Sequence, residues 1–98
     1  MGDSVDKFVV RSSGSGVWFG EIVKRDGAEV EMANARRIWY WKGATDLSEL
    51  SVHGVKYPND CKFPVTVPTV TIIGACEILP LTQEALDSLN SVPVWRTP

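Results

Sequence analysis

Residues that bind metals or act as catalytic nucleophiles and bases are scarce in this sequence. Histidine occurs once, as His53, and cysteine occurs twice, as Cys61 and Cys76, which lie far apart. One imidazole and two separated thiols are too few soft ligands for a zinc site, so we expect no metal. No Gly-x-Ser-x-Gly motif, phosphate-binding loop or dinucleotide-binding glycine pattern occurs. The sequence therefore predicts a protein that is not an enzyme and holds no cofactor, with both thiols reduced.

Long apolar runs and an excess of basic charge are also missing. No apolar run approaches the roughly 20 residues that cross a bilayer, and the first residues lack the apolar core of a signal peptide. We therefore expect a cytoplasmic protein with no membrane association. Lysine and arginine number 10 against 12 aspartate and glutamate, a net charge of −2. A general DNA-binding protein needs a basic face to displace counterions, so we expect no general DNA binding.

Length and periodicity predict one α+β domain over residues 1–98, with residues 1–6 as a flexible N-terminus. Stretches in which apolar and polar residues alternate, or in which β-branched residues are dense, predict strands, most of them in the first half of the chain. Asp26-Gly27 predicts a tight hairpin, because these residues tolerate positive φ. The first half is therefore predicted to be a small antiparallel β-sheet, a meander of three or four strands at residues 8–12, 17–24, 28–32 and 35–41.

The second half predicts two short α-helices and one more strand. Asp46 followed by Glu49 is a capping-box pattern, and the helix it starts would run to His53 and end at Gly54. Thr82 predicts the cap of a second helix that reaches residue 89. Between them, residues 69–79 have the β-branched density of one buried strand, stopped by a proline at position 80.

Aromatic and basic side chains are concentrated in residues 34–44. This segment holds two of the four tryptophans and one of the two tyrosines, with two arginines and a lysine. In an extended strand, Arg37, Trp39 and Trp41 would share one face. Guanidinium groups bind phosphate or carboxylate, and indoles stack on flat rings. The segment therefore predicts a site for a flat anionic ligand, whose candidate ligand-binding residues are Asn34, Arg36, Arg37, Trp39, Trp41 and Lys42.

Two structural alternatives stay open for these aromatic residues. Tryptophan and tyrosine are favourable strand residues, and arginine stems often lie across them, so residues 34–44 could be core rather than binding surface. Trp95 and Arg96 form a second aromatic-basic pair near the C-terminus. Trp95 is expected to dock against its own domain, and docking against a partner subunit is the alternative.

The heptapeptide Ala-Arg-Arg-Ile-Trp-Tyr-Trp at residues 35–41 resembles a family of small proteins encoded mostly by bacteriophages. Further similarity lies at residues 47–50, 53–54, 61–63, 77–78 and 92–95, so the likeness covers nearly the whole chain from about Phe8. The family has no assigned function, so the resemblance assigns a catalytic role to none of these residues. It implies a phage or prophage origin and expression in the host bacterial cytoplasm.

These observations together lead to two functional hypotheses. By analogy with phage proteins that sequester cyclic nucleotide immune signals, we expect a non-catalytic homo-oligomer that binds a small nucleotide-derived host signal. Arg36 and Arg37 would contact phosphates, and Trp39 or Trp41 would stack on a base. The alternative is a protein-interaction module that inhibits a host defence protein through the same aromatic-basic patch. A hydrolase of such a signal would need a nucleophile or metal set that the sequence does not show.

Overall fold

The computed structural model describes residues 4–96 and shows a five-stranded antiparallel sheet with two helices, which confirms the predicted α+β class. Strands β1 and β2 form a hairpin, and β2 continues through a turn at residues 27–28 into β3. The bounds are β1 Ser4–Ser12, β2 Gly16–Asp26, β3 Glu29–Arg37, α1 Leu47–His53, β4 Val67–Ile72, β5 Ala75–Thr82 and α2 Gln83–Asn90, with a 3₁₀ turn at Pro58–Asp60.

The order of strands across the sheet is β4-β3-β2-β1-β5. Strands β1 to β4 are neighbours in sequence order, as in a meander, but β5 returns to lie beside β1. The predicted meander of the first half therefore holds for β1 to β3 only; β4, at residues 67–72, was not part of that prediction, and β5 breaks the sequential order. Residues 73 and 74 alone connect β4 to β5, although these strands occupy opposite edges. The sheet must consequently curl until its two edges approach each other.

Two hydrogen bonds hold the corner between β4 and β5 against the hairpin turns. The buried Ser12 hydroxyl donates to the Ile73 carbonyl at 3.0 Å, and the same oxygen accepts from the amides of the turn that follows β1. On the other side, the Ala75 amide donates to the Ala28 carbonyl at 2.8 Å. Gly74 has a φ of +78°, a conformation that side-chain-bearing residues rarely adopt, so the corner depends on glycine at this position.

The curled sheet buries a separate apolar cluster on each face. Val9 pairs with Phe19 on the face covered by α1 and α2, whereas Val10 pairs with Trp18 on the opposite face. Val10 is fully buried although no helix covers its face, because the curled sheet packs against itself there. Val30, Met32, Ala35 and Ile72 complete this inner cluster.

Both helices begin at their predicted capping residues, and α1 ends at the predicted glycine. The Asp46 carboxylate accepts from the Glu49 amide at 3.1 Å, and Gly54 ends α1 with a φ of +76°. Glu49 accepts in turn from the Thr45 amide and hydroxyl, and these bonds lower the pKa of its carboxyl group. The Thr82 hydroxyl accepts from the Ala85 amide at the start of α2 and donates to the Val52 carbonyl of α1. Thr82 therefore joins the two helices.

Three sequence predictions about strands were wrong. Residues 69–79 are not one strand, because the chain turns at positions 73–74 between β4 and β5. Pro80 does not end the strand either; it lies within β5, and proline is tolerated there because β5 is an edge strand. Residues 28–32 and 35–41 are not two strands: β3 runs continuously to Arg37, and the chain then leaves the sheet.

The ends of the chain bear on two further expectations. Ser4–Asp6 belong to β1, whereas the sequence predicted them as part of a flexible N-terminus; residues 1–3 of that prediction lie outside the described residues. Neither helix in the described range 4–96 has the length and apolar character that a membrane-spanning helix requires.

Candidate functional site

A β-bulge in β3 decides where the predicted site residues point. The register between β2 and β3 shifts between Phe19 and Glu21, opposite Asn34, whose φ is +50°. A side chain on Gly20 would come within 2.9 Å of the backbone of β3, so the bulge also requires glycine there. An extra residue in a strand exchanges its two faces. Beyond the bulge, Arg36 therefore points to the helix-covered face instead of the inner face that holds Met32.

Arg36 connects the segment of Phe63 and Pro64 to the C-terminal segment that carries Trp95. Its Nε donates to the Pro64 carbonyl at 2.9 Å, and its Nη2 donates to the Phe63 and Pro93 carbonyls at 3.1 and 3.0 Å. The guanidinium also lies 5.2 Å from the centroid of the Phe63 ring. Burial leaves the side chain only 6% exposed and lowers its pKa. Arg36 therefore fixes residues 63–64 against residue 93.

Three short extended segments lie side by side where β3 leaves the sheet. Tyr40 and Lys62 form an antiparallel bridge with both backbone hydrogen bonds, at 3.1 and 2.8 Å. Phe63 and Val94 form a parallel bridge, and the Trp95 amide donates to the Phe63 carbonyl at 2.9 Å. Segments that are distant in sequence are thereby brought together around residue 62.

The outer side of these segments carries a stacked pair of tryptophans. The Trp39 and Trp95 rings are parallel to within 7°, with centroids 4.9 Å apart. Trp39 is 56% exposed, Tyr40 47% and Trp95 38%. The Lys62 ammonium lies 5.6 Å from both indole centroids and 5.9 Å from the Tyr40 ring, within cation–π range. We call Trp39, Tyr40, Lys62 and Trp95 the aromatic surface.

The structure separates the residues that the sequence grouped into one site. Arg37 lies over the Trp18 ring at 4.2 Å and donates to the Ser15 carbonyl, so it belongs to the inner face. Trp41 packs against the helix-side core, and its indole donates to the Ala44 carbonyl at 3.3 Å. The shared face predicted for Arg37, Trp39 and Trp41 is therefore wrong, since the strand ends before its alternation can reach Trp41.

Asn34 and Lys42 also lie away from the aromatic surface as defined. Asn34 forms the bulge, and its side-chain amide donates to Glu21 at 3.3 Å. Lys42 is exposed, with its ammonium 6.0 Å from the Tyr57 ring centroid. Of the six candidate residues, Trp39 alone lies in the aromatic surface.

Sequence reasoning missed two residues of this surface and underrated a third. Strict strand alternation places Tyr40 on the face opposite Trp39, and Tyr40 is not among the predicted ligand-binding residues. Lys62 gave no signal, because its role depends on a bridge to a residue 22 positions earlier. Trp95 was recognised as needing a partner, and the structure supplies one from its own domain in Trp39. An aromatic residue near a chain end is the signal that could have led to this pairing.

The thiols and the histidine do not extend the site. Burial raises the pKa of the Cys61 thiol, whose sulfur lies 3.3 Å from the Lys42 amide, and Cys76 is exposed. His53 Nδ1 lies 3.1 Å from Glu84 Oε2, in an exposed pair between the helices. In the part of the chain with defined structure, no three histidine, cysteine, aspartate or glutamate side chains gather as metal ligands would.

The architecture and the surface define a small α+β domain with an exposed aromatic platform. Residues 5–89 match the family described as a domain of unknown function, DUF6948, and the chain belongs to that family. No curated protein matches the sequence, and no solved structure matches it. The match ends before Trp95, so the tryptophan stack combines a residue inside the matched region with one outside it.

Proposed function

We propose that this protein is a non-catalytic binding protein whose aromatic surface holds a flat, negatively charged ligand. The observation that carries the proposal is the exposed stack of Trp39 on Trp95 with the Lys62 ammonium beside both rings. Lys62 is absent from the ion pairs found among residues 4–96, so its charge is available to a ligand. Indoles exposed beside a cation combine a stacking surface with a counter-charge.

The ligand class that suits this surface is a nucleotide. A base that stacks on an exposed aromatic ring typically contributes about 1–3 kcal/mol, and a phosphate would be attracted to Lys62. The resemblance to phage proteins directs the proposal to a nucleotide-derived immune signal in the cytoplasm of a bacterial host. In that setting the protein lowers the free concentration of the signal by binding it intact.

The proposal is tested by incubation of the purified protein with cyclic AMP, cyclic dinucleotides and cyclic ADP-ribose in separate samples. The protein is then removed by filtration, and the retained fraction is heated and analysed by chromatography. We expect one nucleotide to be depleted from the filtrate and recovered unchanged after heating. Recovery of a chemically altered product would identify an enzyme instead, and would contradict the proposal.

A second candidate function is inhibition of a host defence protein through the same surface. The observation that favours it is the extent of exposed aromatic side chain, since tryptophan and tyrosine are enriched at the centres of protein interfaces. If every nucleotide stays in the filtrate while a defence protein co-purifies with the wild-type chain and not with Trp39→Ala, this second function replaces the first.

A further inference from the structure

A pocket of about 320 Å³ opens between the first three strands and α2, on the helix-covered face of the sheet. This volume lies at the lower end of the range for small-molecule sites. Phe19 and Leu86 supply apolar lining, and the polar lining includes Lys7, Asn34, Arg36 and Asn90. We call it the Arg36 pocket. The residues of the aromatic surface do not line it, so the two sites are distinct.

Arg36 brings a buried positive charge to this pocket without a carboxylate partner. Its three hydrogen-bond acceptors are backbone carbonyls, and the ion pairs found within residues 4–96 join Lys7 to Glu21, Arg11 to Glu77 and His53 to Glu84. Carbonyl dipoles solvate a guanidinium but do not neutralise it. A buried charge of this kind is stabilised further by a bound anion.

One nitrogen of the Arg36 guanidinium remains available to such an anion. Nε and Nη2 make the three hydrogen bonds, which leaves Nη1 with no partner in the described range. No fully buried side-chain nitrogen or oxygen within residues 4–96 lacks a partner, so Nη1 is reached by solvent. Arg36 is one of the residues that line the pocket, and Nη1 is the guanidinium nitrogen whose N–H groups the three hydrogen bonds leave unused.

The charges around the pocket leave it positive. The Lys7 ammonium lies 3.9 Å from a Glu21 carboxylate oxygen, which also accepts from the Asn34 amide, so Glu21 offsets much of the charge of Lys7. The charge of Arg36 is not offset in this way. The apolar lining from Phe19 and Leu86 favours a ligand that carries an apolar or ring portion as well as an anionic group.

We propose that the Arg36 pocket binds the phosphate or carboxylate group of a small organic anion. Arg36 Nη1 and the Lys7 ammonium donate to the anionic oxygens, and the apolar portion of the ligand packs against Phe19 and Leu86. The pocket is a second binding site, independent of the proposed function. Arg36 also contacts the carbonyls of residues 63, 64 and 93, so occupancy of the pocket reaches the segments that carry Lys62 and Trp95.

Four probes that separate the contribution of the ring from that of the anionic group test this site: phenyl phosphate, benzoate, inorganic phosphate and neutral phenol. NMR of the ¹⁵N-labelled protein follows the Arg36 Nε–H signal during titration. We expect a saturable shift with phenyl phosphate, with benzoate or with both, tighter than that of inorganic phosphate by at least about tenfold, and no shift with phenol. The absence of a saturable shift with either aromatic anion, or an equal response to phenol, would overturn the proposal.

Matched variants separate the pocket from other sites. Lys7→Ala should weaken binding of the responding anion by about tenfold, through loss of a charge-assisted hydrogen bond. Lys24→Ala removes an exposed lysine outside the pocket and should leave the affinity unchanged. Asn90→Trp, at an exposed position at the end of α2, should fill the pocket mouth and abolish binding while the fold persists. Equal effects of the two alanine variants would contradict the proposal, as would loss of anion binding in Trp39→Ala.

Discussion

Arg36 and Arg37 are adjacent in sequence, but the bulge at Asn34 sends their guanidinium groups to opposite faces of the sheet. Arg36 makes three hydrogen bonds to carbonyls on the helix-covered face, and Arg37 packs over Trp18 on the inner face. A planar group with five donors can hold several carbonyls at once, which an ammonium cannot do with the same geometry. Arg36 therefore commits three of its five N–H donors to backbone carbonyls, whereas Arg37 commits one, to the Ser15 carbonyl.

Trp39 is half exposed, whereas Trp41 packs against the core. Substitution of Trp41 should therefore affect stability, and substitution of Trp39 should affect binding. Trp41 packs against the core and donates to the Ala44 carbonyl, so Trp41→Ala should destabilise the fold by about 3 kcal/mol or more. In a domain of this size that loss lowers the melting temperature by about 12–24 °C. Trp39→Ala removes a half-exposed ring and should lower it far less. Thermal denaturation followed by circular dichroism measures both; equal losses would contradict this division.

The two thiols should differ in their reactivity. Cys76 is exposed, whereas Cys61 is buried and its pKa is raised, so at neutral pH Cys61 has little of the reactive thiolate and little access to reagent. Mass spectrometry after treatment with iodoacetamide should show rapid modification of Cys76 and slow modification of Cys61 that accelerates as the pH rises. A variant with both cysteines replaced by serine should keep its ligand. Faster alkylation of Cys61 than of Cys76 would show that residue 61 is not buried in solution.

At the scale of elements, Thr82 is the point at which the two helices depend on each other. Thr82→Ala removes the cap of α2 and the bond to the Val52 carbonyl of α1, and should destabilise the fold by about 1–2 kcal/mol. Thr82→Ser keeps the hydroxyl and should retain most of that stability. Denaturant unfolding measures both variants. If serine fails to restore the stability, the loss in Thr82→Ala comes from the threonine methyl group rather than from the hydrogen bonds.

The sequence predicted the elements whose signals are local. The Asp26-Gly27 hairpin and the helix caps at Asp46 and Thr82 are formed by neighbouring residues, and all three are found where they were predicted. The turn at Gly74 was missed because residues 69–73 before it are all β-branched, although a glycine inside an apparent strand often marks a bend. The bulge at Asn34 was missed because it depends on the register with Gly20 in another strand.

The candidate site was predictable only in part, for the same reason. Residue composition indicated an aromatic-basic surface and drew attention to Trp39 and Trp95 separately. Their stacking depends on backbone bridges that join residue 40 to residue 62 and residue 63 to residue 94. Such long-range pairings cannot be predicted from the local pattern of a single sequence.

At the scale of the whole molecule, the exposed aromatic surface predicts self-association, with the ligand held where two such surfaces meet. Trp39, Tyr40 and Trp95 leave contiguous apolar area in contact with water, and monomeric proteins rarely expose large patches of this kind. We expect a closed homo-oligomer with a dimer as its building block, about twice the 10.8 kDa chain mass. Light scattering at high micromolar concentration measures the mass. A monomer mass under those conditions would contradict the prediction.

The most direct test of the aromatic surface as the binding site is calorimetric titration of the retained nucleotide into matched variants. Trp39→Ala, Trp95→Ala and Lys62→Ala should each weaken binding by about fivefold or more, while melting temperatures stay close to that of the wild type. Ile73→Ala, which shortens an exposed apolar side chain at the β4–β5 corner, should bind normally. Unchanged affinity in the three surface variants, with all of them folded, would show that the nucleotide binds elsewhere and would refute the central claim.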